Sequence, residues 1–160
     1  MRRIQFALVV FALLSSGVSY VLGQNGSKSK AQNAGLAAYK REMARQKNGF
    51  CRTAETTAAM NDCYSRELSV TEQNYSEYVH SIGELLRINP GWRLSGSHGY
   101  REFELAEAAW KTYKEQTCAA IEQQDDGASG APTDRLTCDL TLTDNHMQEL
   151  AKTYFLLWPR

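Results

Sequence analysis

Four cysteines, Cys51, Cys63, Cys118 and Cys138, lie behind an N-terminal stretch that reads as an export signal, and none lies inside it. An even number of thiols carried to an oxidising compartment predicts two disulfides. The chain is thereby constrained to a small fold that two cross-links can close. The signal has three parts. Arg2 and Arg3 are basic, residues 4–14 are apolar apart from Gln5, and residues 15–23 turn small and mixed ahead of Gln24. That order predicts a signal peptide over residues 1–23. The apolar run is shorter than the roughly 20 residues a spanning helix needs. No cysteine stands near the cleavage point to carry a lipid. The product is expected to be soluble and to begin near Gln24, with no stable membrane insertion after cleavage.

Charge is unevenly distributed along what remains. Residues 24–49 carry six basic side chains against Glu42 alone, net +5, while residues 50–160 carry 10 basic against 17 acidic, net −7. A basic arm, expected to be flexible or weakly helical, thus precedes an acidic body. Such asymmetry favours oppositely charged partners and says little about fold. Leu36, Tyr39 and Met43 mark a narrow apolar stripe on the arm. That stripe fits a solvated segment or a helix lying on the body better than a nucleic-acid or lipid site, and no nucleic-acid partner is expected.

Residues 50–160 suffice for one domain. Two stretches interrupt their helical pattern, the turn-rich loop at residues 89–99 and the softer connector at 125–132. Between these breaks apolar positions step by threes and fours. Tyr64, Leu68, Thr71, Tyr75, Tyr78, Ile82 and Leu85 share one face; so do Phe103, Ala106, Trp110, Tyr113, Thr117 and Ala120; so do Leu136, Leu140, Thr143, Met147, Leu150, Tyr154 and Leu157. Three stripes joined by short loops predict an all-α fold, an antiparallel three-helix bundle with a short extra N-terminal helical segment. Thr133 or Asp134, after Pro132, suits the N-cap of the last helix.

Helix geometry bears on the cross-links. Cys118 falls about one turn before the end of the second helix and Cys138 about one turn after the start of the third. In an antiparallel pair these positions stand at the same height, within reach of a disulfide. That pairing leaves Cys51 with Cys63, which a straight helix would hold about 18 Å apart. A turn must then interrupt residues 52–62, ahead of a short helix containing Met60. The rival pairing, Cys51 with Cys138 and Cys63 with Cys118, needs no such turn and stays open.

Catalytic signals are thin. The spacing of the cysteines is far from the two to four residues favoured at zinc sites, and no cofactor is implied. Glu77 and His80 match half of a di-iron motif that requires a second copy. Ser97 beside His98 has no evident orienting acid. There is no Walker loop, no dinucleotide fingerprint and no HExxH. An enzyme is not expected.

From Cys51 to Leu150 the chain resembles the bacterial LprI-type domain, named for a lysozyme-inhibitor lipoprotein. Cys51 and Cys63, with Met60 between, match the family's opening cysteine pair, and Glu72 its following acid. Tyr75-Ser76 stands where Leu-Asn is usual. Trp110, Lys114-Glu115 and Cys118 match a tryptophan helix in which the family prefers Arg-Asp. Cys138, Thr143, His146 and Leu150 match its final part, His146 replacing an arginine. The resemblance implies that Lys114, Glu115 and His146, beside Trp110, hold a polar network joining the helices. It also implies an exported, disulfide-bonded helical domain over residues 50–160 that binds another protein in the periplasm or outside the cell. Lysozyme inhibition is the named activity. An immunity or assembly partner of a secreted effector is the alternative. Trp92, in the long loop, is the candidate partner contact, since an exposed aromatic can anchor an interface; capping the end of the bundle is its other reading.

Overall fold

The computed structural model describes residues 4–88, 98–125 and 127–159, with side chains described from residue 26 onward except that of His98. Four helices account for most of them: α1 (Ile4–Asn48), α2 (Thr57–Ile88), α3 (His98–Gln124) and α4 (Ala131–Thr153), followed by a single 3-10 turn at Phe155–Leu157. No strand occurs among the described residues. Both disulfides are formed, Cys51 with Cys63 at a Cα separation of 5.8 Å and Cys118 with Cys138 at 5.5 Å. The second closes the α3–α4 hairpin where an antiparallel pair brings those two turns level.

Local chemistry sets the helix ends. Gly49, at φ 68°, ends α1 in the left-handed region, and its N–H bonds the Gln46 carbonyl at 3.0 Å. Cys51 also has positive φ, 56°, so the chain turns back sharply enough for its thiol to meet Cys63. Thr56 caps α2, its hydroxyl accepting from the Ala59 N–H at 3.2 Å. Met60 therefore sits in the first turn of a continuous α2 rather than in a separate short helix. Gly130 takes the N-cap position of α4, with Pro132 inside the first turn. Thr133, expected as a cap, instead donates its hydroxyl to Asn61, tying the start of α4 to the start of α2.

In space the order is α1, α2, α4, α3. The core lies between α2 and α4, where Tyr78, Ile82, Leu85 and Met147 are fully buried, each worth roughly 1.5–3 kcal/mol. The stripes on α2 and α4 largely face this core. That on α3 does so only in part: Phe103 and Trp110 are inward, but Ala106, Tyr113 and Ala120 are exposed, and the inward face runs Phe103, Glu107, Trp110, Lys114, Cys118. The inward face thus takes in two charged residues that a search for apolar spacing passes over.

The basic arm, residues 24–49, reads from sequence as a flexible or weakly helical segment or as a helix lying on the body; residues 26–48 of it belong to α1 and lie antiparallel against α2. Gly35, Ala38 and Glu42 are their buried members, one position round from the Leu36, Tyr39 and Met43 stripe. Small residues permit the close approach: a Cβ on Gly35 would sit 2.5 Å from the Trp158 ring and 2.7 Å from Ser81 Cβ. Trp158 in turn stacks on Tyr78, centroids 5.3 Å apart, and Gln32 donates to the Leu157 carbonyl at 2.6 Å. The chain's C-terminal end thereby helps hold α1. Arg41 pairs with Glu77 at 2.5 Å, and Arg45 with Glu67.

Candidate functional site

Where α2, α3 and α4 meet, the inward face of α3 delivers Glu107, Trp110 and Lys114 to one place. Glu107 is 6% exposed, and a carboxylate so placed must find donors. Tyr75 of α2 donates its hydroxyl to Oε2 at 2.5 Å, and His146 Nε2 of α4 lies 2.9 Å from Oε1. Burial, then Glu107, raises the Tyr75 phenol well above the ordinary tyrosine range. The Trp110 indole lies on the His146 ring and against Tyr75, centroids 4.1 Å and 5.1 Å apart.

One turn along, Lys114 Nζ stands 5.7 Å from the Trp110 centroid, in cation–π range. It reaches Glu72 on α2 at 3.3 Å, Thr143 Oγ1 on α4 at 3.5 Å and Asp139 at 3.7 Å. Burial raises the Asp139 carboxyl above its usual range, against the pull of Lys114 and Arg135. Of the four residues singled out for a polar network, Trp110 meets both Lys114 and His146. Glu115 does not join them: it is largely exposed and pairs with Arg135 at 2.5 Å, as does Glu122 at 2.9 Å. Arg135 connects back only through Asp139, at 3.8 Å. Trp92 lies outside the described residues, as do the side chains of Ser97 and His98. Glu77 and His80 sit on the surface of α2, Glu77 engaged by Arg41.

A second buried polar cluster escaped the sequence reading. Glu42 of α1 is 0% exposed, its two oxygens accepting from Thr71 Oγ1 and Asn74 Nδ2 of α2, both at 2.6 Å. Asp144 of α4 faces it. Burial, with Glu42 nearby, pushes the Asp144 carboxyl up to about 7, although the neighbouring Gln46 amide and Arg45 pull the other way. The one available signal was that Glu42 is the sole acid of a basic segment, in step with Gly35 and Ala38.

In both clusters most of the acids and bases are turned inward, with Asp144 Oδ1 and His146 Nδ1 left without a hydrogen-bond partner, and among the described residues no three His, Cys, Asp or Glu side chains gather as metal ligands. The surface beside Glu107 is more open. A cleft of about 330 Å³ runs between α2 and α3, lined by Glu84, Tyr100, Phe103, Glu104, Glu107 and Lys111 among others. Among the described residues, no helix is long and apolar enough to cross a membrane.

The model of the family described as "Lysozyme inhibitor LprI" matches residues 51–150. No curated protein and no solved structure matches the chain. The matched span opens at Cys51, contains both disulfides and every residue of the α2–α3–α4 network, and covers well over half of the chain. The chain belongs to the LprI family.

Proposed function

We propose that this chain is an exported protein-binding module of the bacterial envelope that docks on a lysozyme or related cell-wall hydrolase and inhibits it. The family match over the disulfide-closed body carries this reading. Charge supports it: residues 50–160 are net −7, whereas animal lysozymes are strongly basic, and opposite fields speed encounter and orient docking. The disulfides suit a periplasmic or secreted location. In this reading the protein performs no catalysis. It acts by covering its target, and the Trp110, Lys114 and His146 network holds three helices in register so that the docking surface is rigid before contact.

The test is enzymatic. Mature protein beginning at Gln24 is titrated into a lysozyme assay on bacterial cell walls, with its disulfides intact. Dose-dependent slowing at micromolar concentration or below is the expected result. Unchanged lysis across that range would remove lysozyme as the target.

A further inference from the structure

The cleft between α2 and α3 exists because the two helices touch closely in only a few places. Tyr75 with Glu107 and Glu72 with Lys114 hold them towards one end. Further along, Gly83 lets the Tyr100 ring lie against α2, where even a Cβ would approach that ring to 3.3 Å. Between these contacts Phe103 and Glu107 form a floor, 4% and 6% exposed. Glu84 of α2 and Glu104 of α3 stand on the walls with Tyr100. Glu104 accepts from the Tyr100 hydroxyl at 2.5 Å, and Glu84 from Arg87 at 3.2 and 2.6 Å. The Arg87 pairing draws the Glu84 carboxyl below its usual range, so it presents a negative charge at neutral pH. Each wall carboxylate retains acceptor capacity beyond these bonds.

Carboxylates set around aromatic faces make a poor site for most groups. An anion meets the carboxylates of Glu84, Glu104 and Glu107, of which Glu84 is paired with Arg87. An apolar side chain would strip water from Glu84 and Glu104 and return nothing. An ammonium or guanidinium gains charge-assisted hydrogen bonds from the wall carboxylates, beside the Tyr100 and Phe103 rings. The volume, at the low end for ligand sites, suits one long side chain. Lys111 and His80 are the basic side chains of the lining. Lys111 opposes a second cation, but Glu104 and Glu107 leave the lining with more carboxylates than basic groups.

We infer that this cleft receives a lysine or arginine side chain projecting from a basic protein partner, with Glu84 and Glu104 as its acceptors. The inference rests on the inhibitor reading above and specifies where such a partner is anchored. The excess of acid over base in residues 50–160 is what a basic partner meets on approach. The cleft is where that general attraction becomes a geometric contact.

The probe is an animal lysozyme titrated calorimetrically with the disulfide-bonded mature chain, at low and moderate salt. Glu104→Gln weakens binding about fivefold and the Glu84→Gln/Glu104→Gln pair more than tenfold at low salt. Lys111→Gln tightens it by a few fold, because the competing cation is gone. Glu55→Gln, an exposed acid in the turn before α2, leaves affinity within twofold. All four positions are at the surface, and unchanged helical circular dichroism verifies the fold of each variant. If the unaltered chain binds and the double variant binds equally well, the cleft is not the anchor and the inhibitor reading survives. If the unaltered chain does not bind, the inhibitor reading fails and takes the cleft with it.

Discussion

The indole of Trp110 lies flat on the imidazole of His146, ring centroids 4.1 Å apart and planes 10° from parallel. The other edge of that imidazole meets the buried carboxylate of Glu107. Two helices joined by a short connector are thus matched at one height by a stack, a hydrogen bond and, further along, a disulfide. The family prefers arginine at this position, and a guanidinium can do both jobs, stacking on the indole and bonding the carboxylate.

Replacing His146 tests that account. His146→Ala removes the stack and leaves Glu107 with Tyr75 alone, at a cost of about 2–3 kcal/mol. His146→Arg retains both contacts and stays within about 1 kcal/mol of the parent. Urea unfolding followed by near-ultraviolet circular dichroism of Trp110 reads both. A harmless His146→Ala would show that the stack is incidental.

Asp144 makes stability depend on pH in an unusual direction for an acid. Its folded-state pKa of about 7 lies above its ordinary 3.8, so the folded chain holds the proton longer than the unfolded one. That contribution is complete below about pH 4, declines as pH rises towards 7, and is gone above it. Water reaches part of the site, so about 1–2 kcal/mol is expected across the window. Asp144→Asn flattens this dependence, and melting temperatures of the two proteins should converge at pH 4 and separate at pH 8. Parallel curves would show that the carboxyl titrates elsewhere.

The two cross-links enclose sequence separations of 12 and 20 residues. Loop-closure entropy predicts about 3 kcal/mol from each. The Cys118→Ala/Cys138→Ala variant loses this amount globally. Loss of the Cys51–Cys63 bond also frees the turn between α1 and α2, so amide exchange over residues 26–48 should rise more than over α3. Equal exchange in both regions would contradict this placement.

Gly35 sets how closely α1 approaches. Gly35→Ala drives a methyl group into the Trp158 ring and Ser81, and forcing that contact apart costs about 1–3 kcal/mol. Trp158 emission should shift to longer wavelength as the ring moves towards water. The docking proposed above is expected to persist, since α2, α3 and α4 keep their mutual contacts.

Much of this architecture was legible beforehand where apolar spacing and covalent logic coincide. Tyr75, Tyr78, Ile82 and Leu85 on α2, and Leu140, Met147 and Leu150 on α4, are inward as their three-and-four spacing demands. Cys118 and Cys138 pair because a short connector leaves few other heights at which two antiparallel helices can meet. On α3 the same reasoning placed Phe103 and Trp110 correctly but drifted in phase between and beyond them. It counted Ala106 and Tyr113 as inward and passed over Glu107 and Lys114 because they are charged.

Composition and periodicity alone determined that the chain is helical, cross-linked twice, and acidic beyond residue 49. Folding in three dimensions decided which charges go inside. Glu42 is buried because Thr71 and Asn74 of α2 supply donors, and Glu107 because Tyr75 and His146 do. Those partners lie 29 to 39 residues away along the chain. A carboxylate's tolerance of burial depends on donors that only the packed helices bring within reach, and no local pattern records them.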